Sequence, residues 1–390
     1  MYNFFSPARV LFGCGVLNQL HTLKMPGKKA LLVISNGRSA RANGYLDRTE
    51  AELKAAGVEV VLYDGIGANP LKEAVEEGAF LGRKEQVDVV VALGGGSVLD
   101  AGKVMAMFIP QESDDLWDYA GGLTGKQKTP EKKALPWIAI TTSAGTGSEV
   151  DATGVVTNLG TDEKIALGGG EDVFATYAIV DPELTVSVPA KYTAFQGFDA
   201  LFHSLEGYLS NRHNLMSDMV QRSAIEHISA NLAAAVKDGS NLAAREAVSY
   251  GNTMSGYSMV LAGCISEHAM EHAMSAYYPK LQHGAGLIMI SKEYFTYWIN
   301  RHVADKRFVE MARFMGIKDA VKPEDFITAL VKLQEDCGVA DLRMSDYGIK
   351  FEDCRKFAEN ARATTMRLIK NDPAETTNDD FTGIYERSYK

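Results

Sequence analysis

Residues 87–103, VDVVVALGGGSVLDAGK, set an apolar run against a glycine turn and lead into a helix carrying Val104, Met105 and Met107. A continuous apolar run bounded by turns suits a strand buried on both faces of a parallel sheet. Glycines at the mouth of a helix let backbone N–H groups approach an anion, and the helix N-terminus adds unpaired N–H groups and the positive end of its dipole. Gly95, Gly96 and Ser97 are therefore expected to hold a pyrophosphate, with Asp100 and Lys103 close by on the helix. The stretch is neither GxGxxG nor GxxxxGKS, so an ordinary tight turn competes for the glycines and helix-surface pairing competes for Asp100 and Lys103.

The same alternation continues on both sides. KKALLVIS (28–35), VEVVLYDG (58–65) and LPWIAIT (135–141) read as strands, and LDRTEAELKAAG (46–57) and PLKEAVEEGAFLGRKEQ (70–86) as helices between them. A second loop, TTSAGTGSEV (141–150), packs hydroxyls and glycines at the carboxyl end of a strand, where α/β sheets bind ligands. Past DPELTVSVPAKY (181–192), with two prolines, the strand signal ends and long amphipathic stretches follow. The expected architecture is an α/β domain with a parallel sheet over residues 1–184 and an all-α domain over 185–390.

The helical half carries GFDALFHSLEGY (197–208) and SEHAMEHAMSAYYPKLQHGAG (266–286). Asp199 and His203 are four apart, as are His268 and His272, so each pair shares a helix face and can converge on one ion, with His283 close behind. A carboxylate with imidazoles suits Fe(II) or Zn(II) rather than the oxygen-seeking Ca or Mg. His21, His213, His227 and His302 stand singly and read as ordinary surface or core residues.

Composition narrows the classes. Hydrophobic residues make up 46% and charged residues 23%, globular values, and no run is long and apolar enough to cross a membrane. A net charge of -10 argues against nucleic-acid binding. The start MYNFFSPARVLFG lacks the features of a secretory signal and reads as a strand and turn. Cys14, Cys264, Cys337 and Cys354 are far apart with no CxxC, which fits a reducing, cytoplasmic setting and argues against a cysteine-based zinc site.

Taken in order and spacing, GGGSVLDAGK, TTSAGTGSEV, the Asp-Pro at Asp181, GFDALFHSLEGY, HAMEHAMSAYYPKLQHG, LRMSDYGI and the closing NDPAETTNDDFTGIYERSYK resemble the iron-dependent (group III) alcohol dehydrogenases, including butanol and propanediol dehydrogenases, over nearly the whole chain. The resemblance implies a dinucleotide-binding first domain, a metal-binding second domain, and hydride transfer between NAD(P)H and a small aldehyde or primary alcohol or diol in the cleft between them. It implies Asp199, His203, His268 and His283 as metal ligands, and His272 beside the metal as a substrate contact or proton relay. Fe(II) is favoured, with Zn(II) as the alternative. Glu206, one turn beyond His203, is expected to orient a ligand. The cofactor-binding set is Asn36, Gly37, Ser39, Gly95, Gly96, Ser97, Asp100, Thr141, Thr142 and Lys164.

Some positions depart from the family pattern. Ser35 stands where many NAD-preferring relatives carry an aspartate, and the following Asn36, Gly37, Arg38, Ser39 and Arg41 offer donors to a phosphate, which favours NADP(H) with NAD(H) as the alternative. From His272 to His283 the chain is one residue longer than usual, so SAYYPKLQ is expected to bulge. Gln196 replaces a small hydroxyl residue, and Asp151 is atypical and reads as a solvated loop carboxylate. Tyr277, Tyr278 and Phe295 either shape a small substrate pocket or pack as core. A glycerol-dehydrogenase-like polyol enzyme and a dehydroquinate-synthase-like lyase are the alternative activities, and a homo-oligomer, dimer or larger, is expected from the family.

Overall fold

The computed structural model describes residues 2–390, which divide into two compact units, one spanning Phe5–Ser187 and the other Val188–Lys390 together with residues 2–4. The first unit holds β1 (Arg9–Phe12), β2 (Lys29–Ser35), β3 (Glu59–Ile66), β4 (Val89–Gly94), β5 (Trp137–Thr141), β6 (Thr153–Asn158), β7 (Glu163–Gly168) and β8 (Tyr177–Val180). Its helices are α1 (Ser39–Ala42), α2 (Tyr45–Ala55), α3 (Lys72–Glu85) and α4 (Gly96–Phe108). Six strands form a parallel sheet in the order β1-β8-β5-β4-β2-β3, while β6 and β7 make a separate antiparallel hairpin that sequence periodicity did not reveal.

Every residue of β4 is buried, as its unbroken apolar run requires. Alternate side chains feed two cores. Leu31, Val33, Val90, Ala92, Trp137 and Ala139 meet Val75 and Ala79 of α3 and Val104 and Met105 of α4 on one face. Leu32, Ile34, Val91, Leu93, Ile138 and Ile140 meet Leu46 and Leu53 of α2 on the other. The chain leaves β2 toward β3 on one side and β4 toward β5 on the other, so the carboxyl ends of β2 and β4 form the switch point where such sheets take ligands. Asp181 of the Asp-Pro pair anchors the amino-terminal segment, accepting the N–H groups of Gly15 at 3.0 Å and Leu17 at 3.2 Å.

The second unit runs α5 (Ala190–Leu209), α6 (Leu215–Lys237), α7 (Leu242–Leu261), α8 (Ser266–Tyr277), α9 (His283–Asn300), α10 (Asp305–Phe314), α11 (Glu324–Asp336), α12 (Cys354–Thr364), α13 (Met366–Ile369) and α14 (Asn378–Ser388). Capping boxes at Asn214 with Ser217 and at Thr377 with Asp380 start α6 and α14. α5 packs on α6, α7 and α9, and α8 packs on α9 and α12. Among the described residues no helix is long and apolar enough to cross a membrane.

The start of α8 is pinned by Asp372, which follows α13, is 5% exposed and accepts the Ser266 N–H at 2.9 Å. Burial pushes this carboxyl up to about 7, aided by the nearby Glu206 charge and opposed by the hydrogen bonds of Ser266 and Thr376. A folded-state value above the unfolded one means that the folded state holds the proton more tightly, so this contribution to stability is present at low pH and is lost as pH rises through about 7. Asp372→Asn should therefore gain stability relative to wild type as pH rises from about 4 to 7, by on the order of 3 kcal/mol, in thermal melts of apo-protein. A difference that stays flat with pH would contradict this assignment.

Candidate metal centre and cofactor loops

α5 carries Asp199 and His203 one turn apart, α8 carries His268 and His272 one turn apart, and His283 is the first residue of α9. All five come together. The Nε2 atoms of His268, His283 and His203 lie 3.4, 3.5 and 3.7 Å from one oxygen, Asp199 Oδ1. A tetrahedral ion with ligand bonds of about 2.0–2.1 Å needs ligand–ligand edges of roughly 3.4 Å, so this donor set fits such an ion. Asp199, His203 and His268 are buried, and the side chain of His283 is 22% exposed. His272, buried, sets its ring 5.4 Å from that of His283 and 6.4 Å from that of His268.

The rings are held from behind. His268 Nδ1 donates to Glu206, whose other oxygen accepts the Ile265 N–H at 2.7 Å, so the carboxylate on α5 fixes both the ring and the start of α8. His283 Nδ1 donates to Glu271 on α8, which the sequence reading passed over. With Nδ1 donating, each Nε2 presents its lone pair to the Asp199 side, as metal-binding imidazoles do. Gly284 makes the His283 position possible: an added Cβ would lie 2.1 Å from the Phe195 carbonyl oxygen, so only glycine lets α9 begin this close to α5.

Charge also favours a cation here. Burial raises the Asp199 carboxyl, but His203, His283 and His268 outweigh it and hold the group below its usual range. Burial opposes charge on His268, yet Cys264, Glu206 and Asp199 raise it well above the ordinary imidazole value. A field that raises affinity for a proton favours any other cation at the same nitrogens. Glu267, fully buried, is pushed well above the carboxylate range by burial and by Glu206, which limits the negative charge collected behind His268.

In the first unit the two glycine-rich loops run side by side. The Thr142 N–H donates to the Gly94 carbonyl at 2.9 Å, and a Cβ on Gly96 would lie 2.2 Å from Thr146 Cγ2. Gly95 caps α4, so the N–H groups of the Gly95–Ser97 turn face the carboxyl edge of the sheet. Asn36, Gly37 and Ser39 follow β2 at the neighbouring strand end and are exposed. Arg41 pairs there with Asp64 at 2.6 Å. Thr141 ends β5 opposite Gly94, and Lys164 lies on β7 opposite Thr157.

Two expectations change, that of a solvated Asp151 and that of a bulge through SAYYPKLQ. Asp151 is 6% exposed and paired with Lys103, itself 0% exposed, because a buried ammonium on α4 requires a counter-charge. Lys103 and Asp151 are thus neither surface-pairing nor solvated. Asp100 gives both oxygens to structural donors, Ser148 Oγ at 2.6 Å and the Val155 N–H at 2.9 Å, tying the second loop and the hairpin to α4; burial pushes its carboxyl up to about 6. Between His272 and His283 the chain does not bulge through SAY, which stays helical, and Tyr278–Gln282 alone make the turn. Phe295 is core, stacked on Phe202 and edge-on to Phe326, while Tyr278 bonds Asp353. Cys264 was also missed as a neighbour of the cluster: its sulfur, a His203 nitrogen and a His268 nitrogen all lie within 4.8 Å of one another. His21, His213, His227 and His302 bond local partners away from this cluster.

Family models for iron-containing alcohol dehydrogenase match residues 7–182, and for the Fe-containing alcohol dehydrogenase C-terminal region residues 193–389. The chain belongs to the iron-containing alcohol dehydrogenase family. It is 34% identical to 1,3-propanediol dehydrogenase of Klebsiella pneumoniae over 92% of this chain and 90% of that one. It is 30% identical to NADPH-dependent butanol dehydrogenase of Clostridium saccharobutylicum, covering 100% and 98%. A crystal structure of an archaeal halo-thermophilic alcohol dehydrogenase from a Red Sea brine pool superposes with a TM-score of 0.94 at 30% identity, covering 100% of this chain and 99% of that one. As an iron-containing alcohol dehydrogenase, the protein is a metal-dependent, NAD(P)-dependent oxidoreductase that acts on alcohols or their aldehydes.

Proposed function

We propose that the protein reduces short aldehydes, and oxidises the matching primary alcohols or diols, with NADP(H) as the preferred nicotinamide and Fe(II) as the preferred ion; the same donors also accept Zn(II). The observation that carries this reading is the convergence of three imidazole Nε2 atoms on Asp199 Oδ1 at 3.4–3.7 Å. When bound, the ion supplies a Lewis acid for the substrate oxygen and the nicotinamide supplies or takes the hydride. Asp199, His203, His268 and His283 hold the ion, and Glu206 aims His268. His272, beside the cluster but outside the Asp199 Oδ1 convergence, contacts the substrate or passes a proton.

At the cofactor end, the Gly95–Ser97 turn takes the pyrophosphate, and Thr141, Thr142 and Lys164 complete the contacts. Asn36, Gly37 and Ser39 at the switch point take the adenosine ribose end. NADP(H) is supported by Ser35 in place of an aspartate, so that position itself carries no carboxylate against a 2′-phosphate, and the neighbouring Asp64 is paired with Arg41. Relatives include an NAD-dependent methanol dehydrogenase of Bacillus methanolicus as well as the NADPH-dependent butanol dehydrogenase. A diol substrate is supported by the propanediol dehydrogenase relative. The reading also takes the protein as cytoplasmic, on its widely spaced cysteines, and as a homo-oligomer by family analogy.

Cofactor choice and reaction class are tested together by following nicotinamide oxidation over short, hydroxylated and acidic aldehydes, with Kd measured for both nicotinamides. The expected result is net oxidation with NADPH bound at least about tenfold more tightly than NADH, or about 1.4 kcal/mol. Tighter NADH binding would reverse the cofactor assignment, and tight binding without net oxidation would favour the lyase chemistry.

A further inference from the structure

We infer that Glu271 is a positioning residue for the metal centre, which keeps His283 aimed at Asp199 although that ligand stands at the exit of a turn, on the first residue of its helix; the inference rests on the ligand set proposed above. His283 differs from the other ligands. Its side chain is 22% exposed, against 7% for His203 and 3% for His268, and it follows the turn Tyr278–Gln282 rather than sitting inside a helix.

Glu271 meets it from the middle of α8. The residue is fully buried, one oxygen accepts His283 Nδ1–H and the other accepts the Ser275 hydroxyl. Gly286, on the first turn of α9, leaves the space it needs: a Cβ there would lie 2.8 Å from Glu271 Cγ and 3.0 Å from its Oε1. A buried carboxylate is costly unless its oxygens are bonded, and here the bonds also fix the imidazole tautomer and ring plane, leaving the Nε2 lone pair on the Asp199 side. α8 thus supplies His268 as a ligand and Glu271 as the support for the ligand on the next helix.

The test measures Fe(II) affinity by chelator competition for wild type, Glu271→Ala, Glu271→Gln, Glu271→Met and His283→Ala, with NADPH binding and the thermal midpoint read on each. Glu271→Ala is expected to weaken Fe(II) binding by about 10–100-fold with NADPH binding unchanged. Glu271→Gln, whose amide oxygen can accept the same N–H, should recover most of the loss, whereas Glu271→Met, of similar size but with no oxygen to accept it, should not; recovery in both would show a merely space-filling role. Should the alanine variant not fold, Glu271→Asp decides, since withdrawing the carboxyl by one methylene should still weaken Fe(II) binding by about tenfold or more. Affinity within about twofold of wild type in the folded Glu271 variant, while His283→Ala loses the ion, would overturn this inference and leave the ligand set intact. Wild-type affinity in His283→Ala would overturn the ligand set itself, and this inference with it.

Discussion

Asp199→Ala is expected to lose bound metal and turnover together while keeping NADPH binding. Asp199 Oδ1 is the one atom that all three Nε2 atoms face, and its carboxylate is the anionic member of the proposed ligand set. Removing it leaves three neutral imidazoles with no charge to balance a divalent ion. The loss in metal affinity should exceed the roughly 10–100-fold that follows loss of an outer partner such as Glu271. Turnover falls with it, because polarising the substrate oxygen is the ion's task. The glycine-rich loops proposed to bind the cofactor lie in the other compact unit, so NADPH binding should persist, and the thermal midpoint serves as the control for folding of the helical unit. Metal content by mass spectrometry and rate on one sample decide the matter, and a metal-free variant with full turnover would contradict the mechanism.

A large stability effect is expected at Asp151. Lys103 is 0% exposed and donates to Asp151, to Ser148 Oγ at 3.0 Å and to the Thr153 carbonyl at 3.0 Å. Asp151→Ala removes the anion and leaves a buried ammonium with neutral partners and the neighbouring Asp100. Breaking a buried pair from one side costs about 3–5 kcal/mol, and the remaining partners place this case near about 3. At about 2–4 °C per kcal/mol the melting midpoint of the α/β unit should fall by roughly 6–12 °C. Adding Lys103→Met should restore part of the loss, because an apolar replacement of both partners removes the stranded charge. A single variant within about 1 kcal/mol of wild type would show that Lys103 is satisfied without Asp151.

Much of the fold was legible because its signals are local. The apolar run of β4, the glycines after it and the helical spacing of Asp199 with His203 and of His268 with His272 are all contained within a few residues. What escaped was pairing over long separations. The β6–β7 hairpin follows a loop rich in small residues and carries no strong alternation. Asp151 and Lys103 are 48 residues apart, and neither position shows from the chain alone that it is buried. Glu271 was passed over for another reason: it stands between His268 and His272, whose spacing carries the stronger signal. A signal was present, however, in HAMEHAM, where a lone carboxylate among alanines and methionines has only polar partners elsewhere to satisfy it. Glu206 was read as an orienting group, and the structure adds which ring it orients, His268.

The most direct test is to titrate chelator-stripped protein with Fe(II) under anaerobic conditions while recording aldehyde-dependent NADPH oxidation and bound metal. The rate should rise in proportion to occupancy and level off at one ion per chain, with no such rise in Asp199→Ala. Turnover that is full before any ion is added, or that ignores occupancy, would contradict a catalytic metal at Asp199, His203, His268 and His283.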